Sequence, residues 1–88
     1  MDKLGENIKA ERKRKKLTQP QLAKLIGVSN GIISQWENNE YEPKATYLKR
    51  LAIVFNVSTD YLLGLENEDG TKNYGLQFRD NNGNINFY

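Results

Sequence analysis

Apolar residues recur at helical spacing through the first 64 positions. Leu4 and Ile8 are four apart, and Arg12 continues the line, which predicts a helix from about Asp2 to Lys15 closed by Leu17. Thr18-Gln19-Pro20-Gln21 then has the form of a capping box: Thr18 caps, Gln21 reaches back, and Pro20 sits where its missing N–H costs little. Leu22, Ala23, Leu25 and Ile26 supply the buried face of a short helix, and Gly27 ends it. Val28 follows as an apolar plug and Ser29 as a second N-cap. The next helix holds Ile32, Ile33 and Trp36 and runs to about Asn38, with Asn39 suited to a left-handed cap. Residues 39–42 are polar and turn-like, and Pro43 starts the next element. Leu48, Leu51, Ala52 and Phe55 fall at i, i+3, i+4 and i+7, the face of a buried helix that ends at Asn56-Val57. Ser58 caps a last short helix with Tyr61, Leu62 and Leu63, and Gly64 stops it.

Past Gly64 the period changes. Residues 66–72 are polar, with a Gly, and 65–73 read as a linker. Leu76, Phe78, Ile85 and Phe87 then alternate with polar residues around Asn82-Gly83, the strongest short hairpin signal. A two-residue loop there sets Phe78 opposite Phe87 and Asp80 opposite Ile85, with the four apolar residues on one face of a hairpin in 74–88. A lone hairpin is marginal in water, so this one packs on the helices, pairs with another chain, or stays disordered.

Composition narrows the function. Eighty-eight residues make one modest domain, and 38% hydrophobic with 27% charged residues is ordinary for a globular one. No apolar run approaches the roughly 20 residues of a membrane span, and the Met-Asp-Lys start lacks the apolar stretch of a signal peptide. The expectation is a cytoplasmic protein without membrane contact. Cys and His are both absent, which removes disulfides, the usual metal sites and most acid–base catalysis. No catalytic residue, metal site or cofactor is expected, and the class is a binding module, not an enzyme.

The net charge of +2 is uneven. Residues 1–64 carry 11 Lys+Arg and 7 Asp+Glu, whereas residues 65–88 carry 2 and 4. The basic excess peaks at Arg12-Lys13-Arg14-Lys15-Lys16. Such a run attracts any polyanion, but cations also suit a helix C-terminus, and that plainer reading covers most of the five.

The segment Gln19–Asn38 is helix, Gly-Val-Ser turn, helix: a helix-turn-helix. Leu17-Thr18-Gln19-Pro20-Gln21-Leu22-Ala23, Gly27-Val28-Ser29, Ile33-Ser34-Gln35-Trp36-Glu37-Asn38, Glu42-Pro43, Leu51-Ala52 and residues 57–64 together resemble the phage repressor/Cro-type helix-turn-helix family. The resemblance spans 1–64 and leaves the tail uncovered. It implies an all-α, five-helix, lambda-repressor-like DNA-binding domain, to which the alternating pattern of the tail adds a short C-terminal β-hairpin. It also implies a transcriptional repressor acting on double-stranded DNA.

In this motif the second helix lies in the major groove. On a helix starting at Ser29, the residues opposite Ile33 and Trp36 are Asn30, Gly31, Ser34 and Gln35. Asn and Gln amides each pair bidentately with adenine, which makes Asn30 and Gln35 the main base readers. Gly31 allows only close backbone approach, a departure from relatives that carry a reading side chain there. Ile32 is core or a thymine-methyl contact, and Ile33 already fills the core slot. Outside the motif, Asn30 and Gln35 would read as a first-turn residue and a solvated helix residue. Ser29 is a cap and a phosphate ligand. Gln19, at a helix N-terminus, is a phosphate ligand that the family commonly uses. Asn38 and Lys44, flanking the next loop, are assigned to phosphates, although Lys44 equally suits a free surface position.

The resemblance pairs Arg12 with Glu37 in a partly buried bridge, which removes Arg12 from the DNA list. Trp36 reads as core. Two copies on a pseudo-palindromic operator, with recognition helices about 34 Å apart, give register and affinity, so a homodimer is expected. Thr59, Tyr61 and Leu62 lie where related repressors meet, and Phe78, Ile85 and Phe87 are the candidates if the tail self-associates. A second reading is an antitoxin that holds a toxin through its tail, and an antirepressor is the other candidate protein partner. A pure protein-interaction module is a third reading, against which Asn30, Ser34 and Gln35 argue.

Overall fold

Five helices form: α1 (Leu4–Arg14), α2 (Gln19–Ile26), α3 (Asn30–Glu37), α4 (Ala45–Phe55) and α5 (Thr59–Leu62), followed by strands β1 (Gln77–Arg79) and β2 (Ile85–Phe87). The computed structural model describes residues 3–72 and the backbone of the two strands. α1 starts two residues later than its apolar pattern suggests, because Lys3 occupies the N-cap.

Local chemistry sets the helix boundaries. Thr18 Oγ1 accepts from the Gln21 amide at 3.2 Å while Gln21 Oε1 accepts from the Thr18 amide at 2.8 Å, the reciprocal capping box. Ser29 Oγ accepts from Ile32 N and Ser58 Oγ from Tyr61 N. All five helices end in one way. A left-handed residue (Lys16, Gly27, Asn39, Asn56 or Gly64) reverses the chain, and the next amide bonds back across the last turn, as Leu17 N does to Arg12 O at 3.0 Å. Glycine and asparagine tolerate this conformation; Lys16 adopts it without that advantage.

The core comprises Leu4, Ile8, Leu22, Ala23, Ile26, Ile33, Trp36, Leu51, Ala52, Phe55 and Leu62, with Leu17, Val28, Leu48, Val57 and Leu63 packed at its border. α1 packs on α3, α4 and α5, and α2 packs on α3 and α4. Gly5 makes the approach of α1 to α3 possible. A Cβ there would lie 2.5 Å from Trp36 O and 2.7 Å from Glu37 O, and its N–H donates to Asn39 Oδ1 at 3.0 Å.

Four expectations are corrected. Leu25 is 57% exposed, not part of the buried face. At about 100° per residue it falls outside the arc occupied by Leu22, Ala23 and Ile26. Leu62 has no exposed surface and cannot serve as a dimer contact, because the single turn of α5 spends it on closing the core against α1 and α4. Residues 65–72 are not an open linker. Glu66 and Lys72 form an antiparallel bridge, Asn67 N donates to Thr71 O at 2.7 Å, and Gly70 turns with positive φ. Lys72 Nζ contacts Glu66 and Asp60, Ser58 Oγ donates to Glu66, and Arg14 reaches Glu68, so this turn is fastened to the helices. Lastly, the strands are antiparallel but shifted by one residue from expectation. Phe78 pairs with Asn86, and Gln77 with Phe87. The expected pairing of Phe78 with Phe87 falls with that register, since a one-residue slip exchanges faces. Leu76, Asp80 and the Asn82-Gly83 loop lie outside the described residues.

Candidate nucleic-acid interface

α2 and α3 meet across the Gly27-Val28-Ser29 turn, where Gly27 has φ +89°. From that corner α3 divides into two faces. Ile33, Trp36 and Glu37 are buried; Asn30, Gly31 and Ile32 are exposed, and Ser34 and Gln35 are half-buried beside them. The outward face is thus built of amides, a hydroxyl, one branched apolar side chain and one glycine. A Cβ at Gly31 would meet nothing nearer than Ser29 Oγ at 3.9 Å, so the fold itself does not require glycine there. Asn38 Nδ2 donates to Ser34 Oγ at 3.4 Å, which joins one expected phosphate ligand to one expected base reader.

The remaining candidates surround this face. Ser29 is exposed and already caps α3. Lys44 is exposed at the extended N-cap of α4. Gln19 sits at the start of α2, half-buried. A shallow cavity of ≈ 260 Å³ beside α3, which no periodicity signals, is lined by Val28, Ile32, Gln35, Trp36, Tyr41, Glu42, Lys44 and Tyr47. Tyr41 is 65% exposed, and an aromatic residue standing alone in a polar turn was the available signal. Tyr47 packs on Trp36 with ring centroids 5.7 Å apart, and the Arg50 guanidinium lies 5.5 Å from the Tyr47 ring while donating to Ile26 O at 3.0 Å. Arg50 thereby satisfies a C-terminal carbonyl of α2.

Behind the face lies a charged network. Arg12 Nε donates to Glu37 Oε2 at 2.6 Å and Nη2 to Oε1 at 3.1 Å, while Nη1 donates to Leu17 O at 2.8 Å. Gln19 Nε2 also donates to Glu37 Oε1, at 3.1 Å. Arg12 therefore faces inward. Arg14 turns to Glu11 and Glu68, leaving exposed Lys13, Lys15 and Lys16 from the basic run. Glu11 is buried with Oε1 unpartnered, a feature hidden by its residue type, although Leu4, Ile8 and Glu11 share core spacing. Of the expected dimer contacts, Thr59 is exposed. Tyr61 is half-buried and donates to Glu11 Oε2 at 3.4 Å. Burial raises the Tyr61 phenol above its ordinary 10.0, and the carboxylates of Glu11 and Glu68 add to the rise. The side chains of Phe78, Ile85 and Phe87 lie outside what is described. Among the described residues no helix is long and apolar enough to cross a membrane.

The geometry is matched by known proteins. The family described as Helix-turn-helix matches residues 8–62. Repressor protein C2 of Salmonella phage P22 is 48% identical over 60 residues, covering 68% of this chain and 28% of that protein. The ImmF control region 10 kDa protein of Bacillus phage phi105 is 42% identical over 60 residues, covering 68% and 67%. The crystal structure of the P22 c2 repressor with a synthetic operator superposes with a TM-score of 0.65 at 47% identity, over 67% of this chain and 89% of that one. The chain spans little more than a quarter of the P22 repressor's length, and the match is to the part that carries the helix-turn-helix. By sequence over most of its helical region and by fold, the chain belongs to the helix-turn-helix family of phage repressors and transcriptional regulators.

Proposed function

We propose that this chain binds double-stranded DNA sequence-specifically and represses transcription, with α3 in the major groove. The observation that carries the reading is the division of α3. Its inward face is spent on the core and on Arg12, while its outward face offers Asn30, Ser34 and Gln35. Asn30 and Gln35 present amides that pair with adenine, Ile32 offers a surface for a thymine methyl, and Gly31 lets the backbone close on the groove. Gln19, Ser29, Asn38 and Lys44 hold phosphates on either side. The relatives named above include a repressor seen with its operator, which supports the same docking here. A domain this small covers few base pairs, so two copies on an inverted repeat supply the affinity, with Thr59 and Tyr61 available near the partner. The family's regulators act by binding, and no catalytic step is assigned.

Selection of bound sites from random duplex DNA tests this. Enrichment of an inverted repeat with half-sites about 34 Å apart is the expected result. Retention of duplex without any enriched sequence would overturn specific reading.

A further inference from the structure

We infer that the buried Glu37 carboxylate is a positioning residue for DNA binding: it fixes the orientation of the Gln19 amide so that an N–H, not a carbonyl oxygen, faces the phosphate. The inference rests on the assignment of Gln19 to a phosphate in the proposed function. It begins with the contact of Gln19 Nε2 to Glu37 Oε1 at 3.1 Å. Glu37 is 6% exposed, and its carboxylate is held on its other side by two hydrogen bonds from Arg12. An ionised carboxylate only accepts, so the Gln19 group turned towards it must be the NH2. That argument holds whichever way the two similar ends of the amide are drawn.

An amide nitrogen has two hydrogens, and Glu37 uses one. Gln19 is half-exposed, and its side chain makes no other hydrogen bond among the described residues. The second N–H is therefore available to an anion approaching the N-terminus of α2, beside the Gln19 backbone N–H, since Pro20 has none and the Gln21 N–H is taken by Thr18 Oγ1. A glutamine without this anchor can rotate its amide and offer either end to a phosphate, one attractive and one repulsive. Glu37 removes that choice before DNA arrives, and the ordering cost falls in folding and not in binding. Arg12 has a part too: by compensating Glu37 it lets a carboxylate stand behind a phosphate site without repelling the ligand.

The sign of one substitution separates this role from simple electrostatics. Glu37→Gln removes a negative charge from a DNA-binding surface, and on charge alone it strengthens binding. On the positioning argument it weakens binding to cognate and random duplex alike, by about tenfold, the fold-change expected for losing a hydrogen bond to a charged group. Gln19→Ala should show the same loss, and the double variant should lose no more than either single one. Affinities are measured on the full chain well below each variant's melting temperature. If Glu37→Gln does not fold, Glu37→Asp keeps the charge facing Arg12 but shortens the reach to Gln19, so charge alone predicts unchanged affinity and the positioning argument predicts a loss. A second readout needs neither DNA nor a variant. In the free protein one Gln19 side-chain proton should resonate downfield of the other glutamine amides, and added duplex should then move its geminal partner. Unchanged or tighter binding by Glu37→Gln, additive losses in the double variant, or two ordinary Gln19 proton shifts would each overturn the inference. Absence of any duplex binding by the wild-type chain, with the downfield proton present, would sink the DNA reading and leave the Gln19–Glu37 contact standing.

Discussion

Two clusters of charged side chains in this molecule have contacts of similar length and opposite surroundings. Arg12 Nε and Glu37 Oε2 are 2.6 Å apart, with the side chains 11% and 2% exposed. Lys72 Nζ and Glu66 Oε2 are 2.8 Å apart, at 45% and 20%. The first pair lies between α1 and α3, behind the recognition helix; the second closes the turn that follows α5. Distance does not rank them. In the interior an ion pair sits in a medium where charge is poorly screened, and loss of one partner strands the other. At the surface, water replaces the lost partner at little cost. The buried cluster therefore bears on whether the domain folds, and the exposed one on how a single turn is held.

Arg12→Ala is the most severe test of that difference. Removing the guanidinium leaves Glu37 buried with Gln19 as its remaining side-chain partner and frees Leu17 O. The expected loss is about 3–5 kcal/mol, read by urea unfolding, a large part of the roughly 5–15 kcal/mol that holds a domain. DNA affinity of the folded fraction should fall by less than the stability does, through the uncompensated Glu37 charge behind the phosphate site. A variant with wild-type stability and lost DNA affinity would place Arg12 on the DNA and remove it from the core.

Gly5→Ala asks whether the same region depends on charge or on close packing. The new methyl would sit 2.5 Å from Trp36 O, 2.6 Å from Asn39 Oδ1 and 2.7 Å from Glu37 O. Backbone must move to admit it. We expect a cost of about 1–3 kcal/mol in spite of alanine's better helix propensity. A stabilised variant would show that α1 can slide on α3, and that the Arg12–Glu37 pair alone sets their spacing.

Gln35→Ala tests the opposite face of the helix that carries Glu37. Gln35 makes no structural ion pair, so the melting temperature should hold, within about 0.5 kcal/mol of wild-type stability. Binding to the selected site should weaken by about 1–3 kcal/mol, with relaxed preference at one base pair per half-site. Equal losses on selected and random DNA would move Gln35 to the phosphate ligands.

These positions also show what residue types reveal and what they hide. The helix ends are legible because Thr18, Ser29 and Ser58 cap with their hydroxyls and Gly27 and Asn39 accept the left-handed backbone, both local effects of residue type. The outward face of α3 was legible because Ile33 and Trp36 name its inward face. Burial was less legible wherever type and position disagree. Glu11 is charged yet sits at core spacing. Leu25 is apolar yet lies off the arc, and Leu62 lies where related repressors meet yet is buried, because a one-turn helix has no apolar residue to spare. The Gln19–Glu37 contact joins residues 18 apart on two helices, and no periodicity within either helix reports it. The 65–72 turn is not legible because its largely polar composition matches that of a linker. Its order comes from specific pairs, and composition does not record pairing.

Lys72→Ala should have the smallest effect, and pH makes it measurable. The hydrogen bond from Lys72 is the main reason the Glu66 carboxyl titrates below its ordinary 4.5, with burial opposing it and Ser58 Oγ assisting. Lys72 is raised above its ordinary 10.5 by Glu66 first and Asp60 second. The signs follow from linkage. A carboxyl with a lowered folded value contributes stability that is present above 4.5 and lost as pH falls through that lower value. A raised ammonium contributes stability that is present below 10.5 and lost as pH rises through its higher value. Across the neutral range the clasp is therefore constant, and it opens only in acid or strong base. In Lys72→Ala the Glu66 midpoint, followed by carboxyl NMR, should rise. The Asn67 amide that bonds to Thr71 O should exchange faster, while the melting temperature of the helices stays at the wild-type value. If that temperature instead falls as far as in Arg12→Ala, solvent exposure is not what separates the two clusters, and the 65–72 turn belongs to the cooperative core.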